Sequence, residues 1–199
     1  MAIKSKGDSG STYRDQGMMA LLSSSHSDTA CSHFDVVYGA NNDNDNYKIY
    51  KLYLRDIDIA DGYSCNMTFL ASSGNPNTFG AYGGGGYLGE AQSSNQSIVW
   101  NNSSHVPLSM GVGSASSSGN YTGNWEVTIY GNQSQPGAKM SYHFQGMHRN
   151  NSNYTSGIWG GGVITQDGDY GVRITTNDTS NNRITHYTYA LYGLAGWTR

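Results

Sequence analysis

Residues 172–194 read VRITTNDTSNNRITHYTYALYGL, and the reading of this stretch decides the fold class. Successive side chains of a strand point to opposite faces, so Val172 and Ile174 share one face while Arg173 and Thr175 share the other. Residues 177–182 (NDTSNN) are turn chemistry, because Asn and Asp tolerate left-handed backbone and bond their own main chain. Residues 183–192 (RITHYTYALY) are rich in Thr, Tyr and Ile, which suit a pleated, half-buried surface. The stretch therefore reads as strand, turn, strand. A closing strand this apolar and aromatic belongs inside a sheet, where it completes the core.

The rest of the chain repeats this grammar. Its 199 residues suit a single all-β domain with a real core. Glycine (27) and tyrosine (16) are abundant and proline (3) is scarce, a balance of many tight turns between short strands. Only 13% of residues are charged and the net charge is -3, which disfavours a nucleic-acid platform. Residues 1–7 (MAIKSKG) lack the apolar core of a signal peptide, and no run approaches a membrane span. The expectation is synthesis in a cytoplasm, no membrane partner, and two cysteines, Cys31 and Cys65, that stay free and buried.

Working outward, residues 124–131 (NWEVTIYG) place Trp125, Val127 and Ile129 inward and Glu126 and Thr128 outward. Residues 139–147 (KMSYHFQGM) place Met140, Tyr142 and Phe144 inward and Ser141, His143 and Gln145 outward. In residues 47–59 (YKIYKLYLRDIDI), Tyr50, Leu52 and Leu54 share a face, but Ile57 and Ile59 fall in the opposite phase. A β-bulge near Arg55 and Asp56 accounts for the shift. The Asp61-Gly62 turn signal then predicts a long hairpin between 47–59 and 64–72, with Cys65, Met67 and Phe69 inward. Further strands are expected at 34–40, 98–100, 106–112 and 157–165.

Residues 73–90, with four consecutive glycines at 83–86, read as loop, since glycine drives neither helix nor strand. The count is eight to ten strands and no helix. That favours an antiparallel β-sandwich of jelly-roll type over 34–199, preceded by an N-terminal arm over 1–33. Residues 13–22 of the arm read as a short helix or an extended piece that leans on a neighbour.

Little of this carries catalytic chemistry. Asp43-Asn44-Asp45 starts like a calcium loop, but the sixth and twelfth positions hold Lys48 and Leu54 where Gly and Glu are required. Asp56 and Asp58 could pair as carboxylates, yet their place beside a turn glycine fits backbone chemistry better. Six histidines (His26, His33, His105, His143, His148, His186) are scattered without metal-site spacing; His143 and His148 read as surface or trimer-axis residues. No nucleophile elbow, phosphate loop or dinucleotide fingerprint occurs. No catalytic residue, cofactor or metal is expected. The remaining signal is aromatic: Tyr82, Tyr87, Trp100, Tyr121, Tyr154 and Trp159 lie in or beside Gly/Asn/Ser-rich segments, where they suit an interface or contact with a glycan.

Residues 34–194 resemble the small virion structural proteins of tailed bacteriophages, marine and cyanobacterial ones in particular. The resemblance lies in the Tyr-rich strand 47–54 (YKIYKLYL), the Asp61-Gly62 turn, the strand 67–70 (MTFL), the Ser/Gly loops and the closing Leu191-Tyr192-Gly193. Residues 1–33 and Trp197-Thr198-Arg199 fall outside it. It implies a non-enzymatic subunit of tail fibre, baseplate, neck or capsid decoration. Such a subunit works by assembly with other virion proteins, as a homo-oligomer with a trimer favoured. The alternative is a carbohydrate-binding module on the virion that recognises host-surface glycan.

Overall fold

The computed structural model describes residues 19–38, 47–60, 63–72, 75–76, 81–89, 96–109, 121–131, 140–149, 155–164 and 170–195. Thirteen strands and no helix occur among them. An eight-stranded sheet contains β1 (Met19–Ser27), β3 (Tyr47–Ile59), β6 (Ala81–Gly89), β7 (Gln96–Ser103), β9 (Tyr121–Tyr130), β10 (Met140–Arg149), β11 (Thr155–Ile164) and β13 (Ile184–Ala195). Its order is β1-β13-β3-β9-β10-β11-β6-β7. The second sheet contains β2 (His33–Val37), β4 (Cys65–Ser72), β5 (Asn75–Pro76) and β12 (Gly171–Thr176) in the order β2-β12-β4-β5. A two-residue strand, β8 (Val106–Pro107), also pairs with β4. All the pairings are antiparallel.

The two sheets bury a common core, which makes the fold a β-sandwich. Leu52, Leu54, Trp125, Val127, Ile129, Phe144 and Leu191 come from one sheet, and Val36, Met67, Phe69, Val172 and Ile174 from the other. Aromatic rings bridge the layers. Phe34 stacks on Tyr187 with centroids 4.0 Å apart, Tyr38 on Tyr50 at 4.6 Å, and Phe69 meets Tyr142 at 5.4 Å. Each such pair contributes about 1 kcal/mol beyond the area it buries.

The closing strand is interior, as expected: β13 lies between β1 and β3, with Ile184 and Leu191 fully buried. The bulge is also present. The β3–β9 register shifts between Leu54 and Ile57, and Asp56 carries the left-handed φ of 50°. The Asp56 N–H donates to Asn124 Oδ1 at 3.1 Å, so the extra residue keeps a partner. Both cysteines are free. Cys65 is buried, and that burial pushes its thiol pKa up to about 12; Cys31 is only half-buried.

Other expectations are overturned. The hairpin of 47–59 with 64–72 does not form, because β3 enters the large sheet and β4 the small one. β12 and β13 divide in the same way. Alternation marks a buried face but does not choose the partner; here the two buried faces meet across the core instead of side by side. The glycine-rich segment is strand, not loop: Gly83, Gly84, Gly85 and Gly86 pair with Gly162, Gly161, Gly160 and Trp159 of β11. A Cβ built on Gly85 would run into the Trp159 carbonyl oxygen, so the strands approach as only glycine permits. Within the expected arm, residues 19–27 are the edge strand β1, and Cys31 bridges to Ile184. Residues 1–18 and the acidic Asn loop at 41–46 lie outside the described residues.

Candidate functional site

The outward face of the large sheet holds a groove. Strand pairing sets its rungs. Tyr53, Glu126, Gln145 and Trp159 are successive register partners across β3, β9, β10 and β11, and Asn124, Met147 and Gly157 form the next rung. Strands lie about 4.8 Å apart, so the four span roughly 14 Å. The groove is an open depression of about 560 Å³ lined by Arg55, Asn124, Glu126, Gln145, Met147 and Trp159, with Gly146, Gly157 and Ile158 as backbone floor. Gly157 keeps that floor open, since a Cβ there would meet nothing within 4 Å.

Its chemistry is mixed. Met147 and Trp159 are 60% and 46% exposed, large apolar surfaces that the fold leaves to solvent. Around them stand polar groups with unused capacity. Glu126 Oε1 accepts from Lys51 Nζ at 2.8 Å, which holds the ammonium above the ordinary lysine range; Oε2 has no donor among the described residues. Asn124 spends its Oδ1 on the bulge, and its amide N–H groups have no acceptor among the described residues. The Arg55 guanidinium lies 5.6 Å from the Tyr53 ring centroid, and no carboxylate among the described residues pairs with it. A flat aromatic face, amide and guanidinium donors and one carboxylate can stack on and hydrogen-bond a ring bearing several hydroxyls.

Of the six aromatic residues expected at an interface or a glycan contact, Trp159 lines this groove. Tyr82 and Tyr87 belong to β6 and Tyr121 to the first position of β9, strand instead of loop, while Trp100 lies on β7, where a strand was expected at 98–100. In register, Tyr82 faces Val163, Tyr87 faces Ile158, Trp100 faces Gly83 and Tyr121 faces Ile59. Tyr154 lies outside the described residues. Sequence reasoning missed Arg55, Asn124 and Met147 as groove residues and took Glu126 and Gln145 for a solvated face. Their outward phase was legible, but their convergence depends on the order β3-β9-β10-β11.

Of the two histidines expected at the surface, one differs. His143 is exposed, but His148 is buried with 4% of its surface accessible. Neither ring nitrogen of His148 has a hydrogen-bond partner among the described residues, and burial lowers its pKa from 6.5 to about 4. Asp56 and Asp58 do not form a regular carboxylate pair. The bulge separates them, and Asp58 Oδ1 accepts from the Thr122 hydroxyl.

Comparison with known proteins returned no matching family model, no matching curated protein and no matching solved structure.

Proposed function

We propose that the protein is a non-enzymatic, glycan-recognising subunit of a tailed-phage virion, with the outer groove of the eight-stranded sheet as its binding surface. The observation that carries this reading is half-exposed Trp159 beside the open Gly157 floor, with Gln145, Glu126, Asn124 and Arg55 around it. Glu126 is the single carboxylate among the lining residues, whereas glycoside hydrolysis ordinarily uses two. The virion setting draws on the resemblance of residues 34–194. We read the sandwich as jelly-roll type, which its repeated crossing between sheets supports, with the residues ahead of β1 as an arm.

A glycan array with the native protein and the Trp159→Ala and Gln145→Ala variants tests the reading. Binding by the native protein and at least tenfold weakening in Trp159→Ala are expected. Absence of binding to any host-surface glycan would refute it. Release of sugar fragments from bound glycan would refute the non-enzymatic part.

The second reading is assembly as a homo-oligomer, which edge strand β1 favours. Met19 and Leu21 are 42% and 57% exposed there, an apolar strip on the outermost strand of the large sheet. Light scattering tests it. A trimer that dissociates on Leu21→Asp is expected from this reading, and a native monomer rejects it.

A further inference from the structure

At the far end of β1 the fold assembles a cluster that the scattered histidines of the sequence did not announce. His26 is on β1, Asp28 follows that strand, and His186 is on β13, which pairs with it. The Asp28 carboxylate stands between the two imidazoles: Oδ2 is 3.3 Å from His26 Nε2, and Oδ1 is 2.7 Å from His186 Nδ1. The rings meet edge to face with centroids 5.0 Å apart. One nitrogen of each ring and a carboxylate oxygen all lie within 4.8 Å of one another.

From this convergence we infer that His26, Asp28 and His186 form a binding site for a divalent transition-metal ion of the zinc class. Ligands held ~2.0–2.1 Å from a tetrahedral ion sit ~3.4 Å apart, so the three groups need only small side-chain rotations to close on one. Two imidazoles and a carboxylate are a donor set that zinc accepts, and the solvent-facing side leaves the fourth position to water.

A separate contact orients the cluster. His26 Nδ1 lies 3.0 Å from Thr188 Oγ1. With Nδ1–H donated to that hydroxyl, the Nε2 lone pair is directed to the ion, the orienting contact that metal-bound histidines commonly have. Asp28 is kept ionised, its pKa lowered chiefly by the hydrogen bond from His186 and further by His26. In the metal-free protein the carboxylate bridges the two rings. Binding exchanges those N–H···O contacts for metal bonds and releases any proton held on the ligating nitrogens. The ion would tie the end of edge strand β1 to β13, beside the Cys31–Ile184 bridge.

The test is calorimetric titration of the full chain with zinc chloride, with a cobalt(II) spectrum as a second readout. The variants are His186→Gln, Asp28→Asn, Thr188→Val and, as a control, His143→Gln at an exposed histidine outside the cluster. The expected result is one ion per chain and a raised melting temperature. Affinity should fall at least tenfold in His186→Gln and Asp28→Asn, fall less in Thr188→Val and hold in His143→Gln. Asp28 lies after the strand on the surface, so Asp28→Asn is expected to keep the native circular dichroism even if a histidine variant does not. Absence of binding at millimolar zinc overturns the inference. So does binding that His186→Gln and Asp28→Asn leave unchanged, which would place the ion on other histidines.

Discussion

Acidification should destabilise this protein through His148. The side chain is buried on β10, and both ring nitrogens lack a partner among the described residues. Charging it inside the sandwich is costly, which is why its pKa falls from 6.5 to about 4. The sign follows from proton uptake. Between these values the unfolded chain binds a proton that the folded chain does not, so falling pH favours unfolding. Stability is complete above pH 6.5, declines as pH falls towards 4, and loses no more from this group below that. At 1.36 kcal/mol per pH unit the whole effect is about 3 kcal/mol, of which about 2 kcal/mol has been lost by pH 5. Against a typical domain stability of about 5–15 kcal/mol that is a large fraction.

The assay is urea unfolding at pH 7 and pH 5, followed by the fluorescence of buried Trp125 and repeated on His148→Leu. Leucine removes the titrating group and the unpaired nitrogens together, so the variant should at least match the native protein at pH 7. At pH 5 it should exceed it by about 2 kcal/mol. Asp28, held below the ordinary aspartate range chiefly by its hydrogen bond to His186, and Asp178, held below it chiefly by its hydrogen bond to Asn181, lose their stabilising contacts only at lower pH and leave this window clear. A native-minus-variant difference that stays constant from pH 7 to pH 5 would refute the reasoning.

Three further outcomes are expected. Gly146→Ala should destabilise the fold by about 1–3 kcal/mol in urea titrations, because its Cβ would strike the Trp125 ring and the Asn124 carbonyl oxygen. Asp56→Gly should be tolerated while Asp56→Val costs about 1–2 kcal/mol, since the residue sits at φ 50°; thermal melts of the two variants distinguish these effects. A fragment ending at residue 182 should fail to fold, because it loses β13 from between β1 and β3; cooperative unfolding of that fragment would show the strand to be dispensable.

Much of the architecture was legible wherever side chains alternate. The alternation of Trp125, Val127 and Ile129 and of Met140, Tyr142 and Phe144 located β9 and β10, and the phase change after Leu54 located the bulge at Asp56. β1 was harder to see, since half of it is Ser and His and its apolar residues face both ways across a bulge at Leu22. β6 was invisible because glycine carries no alternation; its strand character comes from close backbone pairing with β11. The groove was half legible, with Glu126 and Gln145 outward but Arg55, Asn124 and Met147 not seen as their neighbours.

By itself, then, the sequence determined an all-β chain, the positions of most strands, the residues each turns inward and the interior place of the closing strand 183–192. These follow from local sterics and a two-residue period, which any segment expresses without knowing its neighbours. Only the tertiary structure decided that 172–176 and 184–195 enter different sheets. It alone placed Trp159 beside Gln145 and Glu126, and His26 beside His186 across 160 positions of chain. Strand partnership is chosen by burial of the whole molecule: each apolar face must find another, and the polar faces that meet on the outside are a consequence of that choice.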